Sequence, residues 1–416
     1  MKKLFFLTLF TLATAIVYAG GYRVSLQGQR ALGMGHTGVA VINSAELGFF
    51  NPSGLVYLEN RLNVSAGASA VFSDVVYQND EFGDLARTDS PVGTPFYLYA
   101  SYKLNDWLAV GLAAYTPYGS AVSWEDDWAG SHLVNNIDLQ AIYVQPLVSF
   151  KLNDHLSFGG GPIYVTGSVN LNRNLNRTLT DIEGNRSNVT VDATGVTAWG
   201  WSASATFSPT ENFRVGFNYR SEIIMEAEGG DATFTNIPSS PLTPFRNTTF
   251  NAALPLPAEV SLGIAYEFRE KWLFAFDVNQ TMWSVYDSLD LQFADPDIPD
   301  SENVRNYKDA STYRFGLQYA ASDLFTLRAG YYFDESPVQD GYFAPETPRN
   351  DSHGFTGGLS LNVSEKLSID AAFLYIRFEE VEASYDHYFE NGQAAPFGGR
   401  YKSSAFIPGL GISYRL

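Results

Sequence analysis

The 416-residue chain contains no cysteine. That removes disulfides, thiolate metal sites, cysteine nucleophiles and a lipid-anchored N-terminus together. Histidine is scarce as well, and His36, His132, His155, His353 and His387 do not stand at metal-ligand spacing from one another. Only 17% of residues are charged, yet no apolar run is long enough to cross a bilayer as a helix, so a helical membrane protein is excluded. Basic residues are outnumbered, giving a formal charge of −19, which argues against nucleic acid as a partner.

What the chain does have is alternation. Phe213, Val215, Phe217 and Tyr219 fall on one face of a strand while Arg214, Gly216, Asn218 and Arg220 fall on the other, the period of two that a strand requires. Phe325, Leu327, Ala329, Tyr331 and Phe333 oppose Thr326, Arg328, Gly330, Tyr332 and Asp334 in the same way. Such stretches run to twelve residues, as from Leu367 to Phe378. A soluble sandwich strand averages about 5 to 6 residues, whereas a tilted strand crossing a bilayer needs about 9 to 11. Six short polar turns separate pairs of these stretches: Asn105-Asp106, Asn153-Asp154, Pro209 to Asn212, Arg269-Glu270, Ser322-Asp323 and Ser364-Glu365. Short turns at one end and long hydrophilic connections at the other are the signature of an outer-membrane barrel.

Three regions follow. Residues 1–19 form a secretory signal, with Lys2 and Lys3, an apolar run from Leu4 to Val17 and cleavage after Val17-Tyr18-Ala19, the run being too short for a retained anchor. Residues 20–60, rich in Gly, Ala and small polar side chains and ending at Asn51-Pro52-Ser53-Gly54, do not read as barrel wall and form a plug. Residues 61–416 are predicted to form an all-β, fourteen-stranded antiparallel transmembrane β-barrel with strands near 61–73, 95–104, 107–118, 138–152, 155–171, 190–208, 212–227, 257–268, 271–285, 311–321, 324–335, 353–363, 366–383 and 401–416. The number is even, as single-chain bacterial barrels require. The longest connection, 228–256, is unusually apolar through Leu242, Phe245, Phe250, Leu254 and Leu256, which points either to contact with a hydrophobic partner or to a loop folded on its own side chains.

Chemical motifs are few. Gly33-Met34-Gly35-His36-Thr37-Gly38 matches a dinucleotide fingerprint, but no hydrophobic strand precedes it and no long amphipathic helix follows, so no cofactor is expected. Ser131-His132 and Glu125-Asp126-Asp127 lack the surroundings of a nucleophile or acid pair, and enzymatic activity is not expected. Asp295, Asp297, Asp300 and Glu302 lack EF-hand spacing and read as a solvated acidic loop rather than a metal site. Alternation places Arg214, Arg220, Arg314 and Arg328 on the wet face. They form either a charge ladder with Asp277, Asp370 and similar partners or, for Arg314 and Arg328 on neighbouring strands, a lumenal site for a carboxylate head group.

Taken together, Gly21-Tyr22-Arg23, Gly33 to Gly38, Asn51-Pro52-Ser53-Gly54, Thr116-Pro117-Tyr118-Gly119, Asp127-Trp128-Ala129-Gly130, Pro257-Ala258-Glu259-Val260, Asp277 with Trp283, and Arg328-Ala329-Gly330-Tyr331 before Asp334-Glu335-Ser336-Pro337 occur in the order of a known family. The chain resembles the FadL-type outer-membrane transporters of long-chain fatty acids and other hydrophobic compounds, toluene-type channels included. Ser53 stands where that family's Asn-Pro-Ala motif has alanine, and Leu416 ends the chain where barrels commonly end in an aromatic residue. The resemblance implies passive uptake across the Gram-negative outer membrane: capture among outer loops (Leu242, Phe245, Phe250, Leu254), a lumenal pocket, gating by the hatch (Gly33, Gly35, Gly38, Asn51, Pro52, Gly54), and lateral release beside a kink of the third strand (Thr116, Pro117, Tyr118, Gly119). Pro117 and Gly119 would interrupt strand pairing there, and Pro146 would mark either the neighbouring edge of the opening or a bulge. The implied partners are a long-chain fatty acid or other hydrophobic small molecule, outer-membrane lipid and the barrel-assembly machinery, with the chain acting as a monomer. An aromatic-hydrocarbon channel of the same family and a nonspecific diffusion porin are the alternatives.

Overall fold

Long alternating segments with polar turns close on themselves here, as they must where no water is present to satisfy a free strand edge. The computed structural model describes residues 21–79, 81–240, 243–390 and 392–416; the signal segment, Gly20 and Leu242 lie outside the described residues. Fourteen wall strands run antiparallel: β1 (Leu62–Ser69), β2 (Phe96–Asn105), β3 (Leu108–Ser123), β4 (Asn136–Asn153), β5 (Leu156–Asn174), β6 (Asn188–Thr210), β7 (Phe213–Arg220 and Ile223–Thr235), β8 (Thr248–Leu256 and Glu259–Phe268), β9 (Trp272–Thr281), β10 (Ala310–Ala320), β11 (Phe325–Asp334), β12 (Ser352–Asn362), β13 (Leu367–Phe378) and β14 (Phe397–Arg415). Pairing of β1 with β14, from Asn63 with Arg415 to Ser69 with Gly409, closes the ring.

The period-two reading holds along the wall. Leu262, Ile264, Phe274, Phe315, Leu327, Phe355 and Phe373 are exposed on the outer face, while Asp277, Arg314, Arg328 and Asp370 are buried inside. At 19 residues, β5 is about 60 Å long at ~3.3 Å per residue, well beyond the ~30 Å hydrocarbon layer. Its upper half, with those of β4 and β6, therefore stands as a collar above the membrane.

One expected loop is largely strand. Ile223 to Ala232 pairs with Leu256 to Thr248, so the connection expected over 228–256 is a hairpin whose turn is only 236–247. Phe250 and Leu256, being on its inward face, are buried rather than exposed. A register shift between Ala227 and Gly230 puts Glu228 and Asp231 out of a strand's period of two, so alternation does not carry past Ala227. Pro146 does not border the β2–β3 opening either: β4 keeps one register against β5 on both sides of it, but Gln145 to Leu147 make no ladder pairs there.

Residues 21–58 lie inside the ring, since they contact strands all around it. Gln29 reaches β2 through Tyr97, Asn51 reaches β6 through Thr206 at 3.0 Å, Gly38 donates to Asp277 of β9 at 2.7 Å and Arg30 pairs with Asp370 of β13 at 3.0 Å. The segment carries helices α1 (Gln29–Leu32) and α2 (Leu47–Phe50) and a 3-10 turn, Pro52–Tyr57. It seats because the wall presents glycine where its backbone touches. A Cβ at Gly263 would stand 2.7 Å from Val39 Cβ, one at Gly316 2.5 Å from Met34 O and one at Gly358 2.9 Å from Gly33 Cα. Cβ atoms at Gly216 and Gly330 would collide with the backbone at Val39 and Gly35. Because Gly216 pairs with Gly263 and Gly316 with Gly330, these glycines form a belt around the lumen. We predict that Gly330→Val leaves a heat-modifiable, folded barrel but unseats the plug and raises conductance in planar bilayers, whereas Gly357→Val, where a Cβ meets open space, leaves conductance unchanged.

Candidate functional site

The wall between β2 and β3 is broken. Their pairing runs from Asn105 with Leu108 to Tyr97 with Tyr115 and resumes only where Asp89 N donates to Ser123 O at 2.8 Å and Thr88 bridges Trp124. Pro117 lies within a register shift of β3 against β4, between Tyr115 and Tyr118, and lacks the N–H a ladder needs. The facing segment carries Pro91, Gly93 and Pro95, which the sequence reading passed over although two prolines beside a strand carry the same signal. The N-terminal segment fills the break: Val24 N donates to Pro117 O at 2.8 Å, Gly119 N to Tyr22 O at 3.0 Å, and Gln27 Nε2 to Thr116 O at 2.9 Å. Thr116, Pro117, Tyr118 and Gly119 thus meet the plug directly.

Arg23 fixes that segment. Its guanidinium donates to Asn279, to Thr281 at 3.0 Å, to Thr312 at 2.6 Å and to Asp334 at 2.9 Å, while Glu259, 3.8 Å away, also pairs with Arg220 at 3.4 Å. Removing one partner from such a buried set costs roughly 3–5 kcal/mol. Farther along, Asn51 donates to Val39 O at 2.6 Å, and Ser53 accepts at its carbonyl from Ser149 and Ser157 at 2.9 and 2.8 Å. The Asn-Pro-Ser-Gly motif is therefore docked on a serine-lined patch of β4 to β6, with Pro52 opening the 3-10 turn. Gly35, at φ 68, makes the turn after α1, and the Phe50 ring lies against the place a Gly38 side chain would occupy. Leu47 does the same at Gly54, 2.9 Å from its missing Cβ.

Two cavities flank the segment. The first, about 90 Å³, is almost wholly apolar, lined by Leu139, Leu171, Met225, Phe250, Leu254 and Leu291 among others. Phe245 stacks on Phe234 at 5.5 Å beside them. The second, about 390 Å³, lies at the wall break and is lined by Arg23, Val24, Pro91, Val92, Thr116, Gly119, Ser120 and Arg349, with many hydroxyls. Ser120, Leu139, Gln140 and Ser168 line both, so the two are neighbours, with Tyr22 lining the first and Arg23 the second. β6 and β7 also part between Asp192 with Asp231 and Ser202 with Arg220, a stretch that carries the exposed Trp199 and Trp201.

Two arginines at the first cavity escaped sequence reasoning, although Arg173 follows Val169 and Leu171 on the inward face of β5. Arg173 donates to Ser301 Oγ at 2.7 Å and Asn303 Oδ1 at 3.4 Å, its Nε is buried without a partner, and among the described residues it has no ion pair. Arg305 pairs with Glu346. Arg314 and Arg328 do not line this cavity. Arg314 stands in register with Asp277 at a small void under the plug, and Arg328 donates to Gln318 at 2.8 Å and to Ser360 at 2.5 Å. Of the four inward arginines, Arg214 pairs with Glu267 and Arg220 with Glu259, whereas Arg314 and Arg328 make no ion pair among the described residues, and Arg314 Nε and Asp277 Oδ1 are both without a partner. In the acidic loop Arg246 holds Asp297 at 2.9 Å and Asp295 at 2.5 Å, and no cluster suited to a metal occurs among the described residues.

A sequence profile of the family "Outer membrane protein transport protein (OMPP1/FadL/TodX)" matches residues 10–416. The chain belongs to this family. It is 24% identical to a 47 kDa outer membrane protein of Pasteurella multocida, over 98% of each chain. It is 22% identical to the long-chain fatty acid transport protein of Escherichia coli K12, over 96% of this chain and 98% of that one. In fold it matches a Pseudomonas aeruginosa FadL homologue with a TM-score of 0.82 at 20% identity, covering 95% and 100% of the two chains. It also matches the Pseudomonas putida toluene transporter TodX with a TM-score of 0.75 at 18% identity, covering 94% and 98%. This FadL/TodX protein is an outer-membrane transporter for hydrophobic compounds and not an enzyme.

Within the plug, the Glu46 carboxylate accepts from Arg30 N and Ala31 N at 3.2 and 3.1 Å, at the start of α1. Burial, then the neighbouring Asp370, push it up from 4.5 to about 7. A raised acid contributes stability in full below its ordinary value and loses it as pH rises through the folded value, here a loss on the order of 3 kcal/mol between pH 4.5 and 7. Amide protection in the plug, corrected for intrinsic exchange, is expected to fall across that window and to become flat in Glu46→Gln.

Proposed function

We propose that the transported compounds are long-chain fatty acids, held with the carboxylate at Arg173 and the tail in the apolar cavity, and released through the β2–β3 break into the membrane. The observation that carries this reading is Arg173: a half-buried guanidinium bonded only to neutral oxygens, with a buried Nε–H that has no partner, at the wall of a largely apolar cavity. A bare aromatic hydrocarbon would leave that charge unanswered, whereas a carboxylate would give it charge-assisted bonds. The cavity of about 90 Å³ holds only about three water volumes, so a long tail extends toward the second cavity through Ser120, Leu139, Gln140 and Ser168. Transfer of the tail from water favours binding by about 0.8 kcal/mol per CH₂, and withdrawal of the N-terminal segment supplies the release step.

Phe250 and Leu254 receive the tail, and Phe245 belongs to the capturing hairpin beside them; Leu242, which lies outside the described residues, is proposed as a further capture residue. Gly33, Gly35, Gly38, Asn51, Pro52 and Gly54 keep the hatch seated, and the seated hatch argues against a diffusion porin. The protein works as a monomer, and Leu410, Ile412, Tyr414 and Leu416, all outward and exposed, form the face that assembly machinery meets.

Arg173→Gln should weaken laurate binding about 10- to 100-fold, since a hydrogen bond to a charged group is worth about 1.5–3 kcal/mol, and should leave dodecanol binding unchanged. The double variant Arg314→Ala with Arg328→Ala is the contrast: a selective loss of laurate affinity there, with Arg173→Gln silent, would move the carboxylate site beneath the plug. Separately, Gly119→Arg should assemble as a barrel yet fail to take up oleate; normal uptake by a well-folded Gly119→Arg protein would count against lateral exit at that point.

A further inference from the structure

The N-terminal segment that fills the wall break is anchored by the Arg23 side chain, and its backbone is gripped from two sides. On the barrel side its backbone is zipped to Pro117 and Gly119. On the other, Arg349, from the connection between β11 and β12, donates Nη1 to the carbonyls of Gly21 at 3.1 Å and Arg23 at 3.2 Å. Those two carbonyls flank Tyr22, whose own carbonyl accepts from Gly119, so the clamp and the zipper hold the same three residues.

This grip has an electrostatic imbalance. Arg349 has no ion pair among the described residues, and Asp334, which acts on it at longer range, is already bonded to Arg23 and Thr312. Burial weighs against the guanidinium charge and lowers its pKa from the ordinary value. The cation rests on two neutral acceptors while lining the larger cavity at the wall break, beside Ser25, Thr116, Ser120 and Ser403. A carboxylate is a stronger acceptor for guanidinium than a peptide carbonyl, with shorter bonds of roughly twice the strength.

We propose that Arg349 is the residue through which an acidic ligand, and not a neutral one, opens the wall: a carboxylate entering the larger cavity draws the guanidinium off the carbonyls of Gly21 and Arg23, and the segment, held by one clamp fewer, withdraws from the break. This rests on the fatty-acid reading above and adds to it a second point of selection. Arg173 selects for binding; Arg349 selects for release. A neutral amphiphile of equal length would fill the apolar cavity and leave the clamp closed.

Because the chain has no cysteine, Ser25→Cys places a single thiol on the segment, at the wall of the larger cavity. Its labelling rate by a membrane-impermeant maleimide reports withdrawal. Labelling is measured in folded, heat-modifiable protein with laurate, with dodecanol and with neither. Laurate is expected to speed labelling at least fivefold and dodecanol to leave it unchanged. Arg349→Gln should abolish the laurate effect, and Arg349→Lys, which keeps the charge, should retain part of it. Undiminished acceleration by laurate in Arg349→Gln, equal acceleration by dodecanol, or laurate that binds without any acceleration would each overturn the proposal while leaving the fatty-acid reading in place. Failure of laurate to bind at all would overturn both.

Discussion

Within a hydrocarbon layer every backbone N–H and C=O must find a partner in the protein, and a break in a barrel wall is costly unless something answers it. Here the β2–β3 ladder is interrupted where Pro91, Pro95 and Pro117 withhold donors, and the protein answers with its own N-terminal segment. Tyr22 and Val24 supply the bonds that a continuous strand would have made to Pro117 and Gly119. The patch is formed by a segment that is not part of the ladder, so the wall can be whole or open without refolding the barrel.

The rest of the interior serves to place that segment. Wall glycines at Gly216, Gly263, Gly316, Gly330 and Gly358 let plug backbone and wall backbone touch. Asp277 caps Gly38 N and Val39 N, Asp370 holds Arg30, and Arg23 is fixed by groups from β8 to β11. Each is a buried polar contact that would be expensive to half-satisfy, which gives the plug one seat. On either side of the Arg23 anchor, the backbone of residues 21–24 is held by bonds to Pro117 and Gly119 and by Arg349, beside open space. The division is between side-chain anchors that fix the plug and a backbone edge that only a few hydrogen bonds hold in the break.

Tyr22 joins that edge to the ligand path. It lines the apolar cavity, packs edge-on against Trp283 at 4.9 Å and Tyr286 at 5.4 Å, and lies between the two residues whose carbonyls Arg349 holds. Filling the cavity, displacing Tyr22 and opening the wall are therefore events in one packed neighbourhood rather than signals over a distance, which is the physical condition for coupling binding to release.

Strand number, the six short turns, the inward arginines and the lipid-facing aromatics could all be read from the sequence, because a residue's side of a strand follows from parity alone. The interruption of pairing at Pro117 was legible for a similar reason, since proline acts through its own backbone chemistry. Which inward arginine faces an apolar cavity and which lies beside the plug was not legible: Arg173, Arg314 and Arg328 each fall on the inward side of their own strand, and only the path of residues 21–58 across the lumen separates them. The hairpin hidden in 228–256 and the clamp of Arg349 on residues more than three hundred positions away were decided by the closed barrel, which brings together chain segments whose contacts no local pattern encodes.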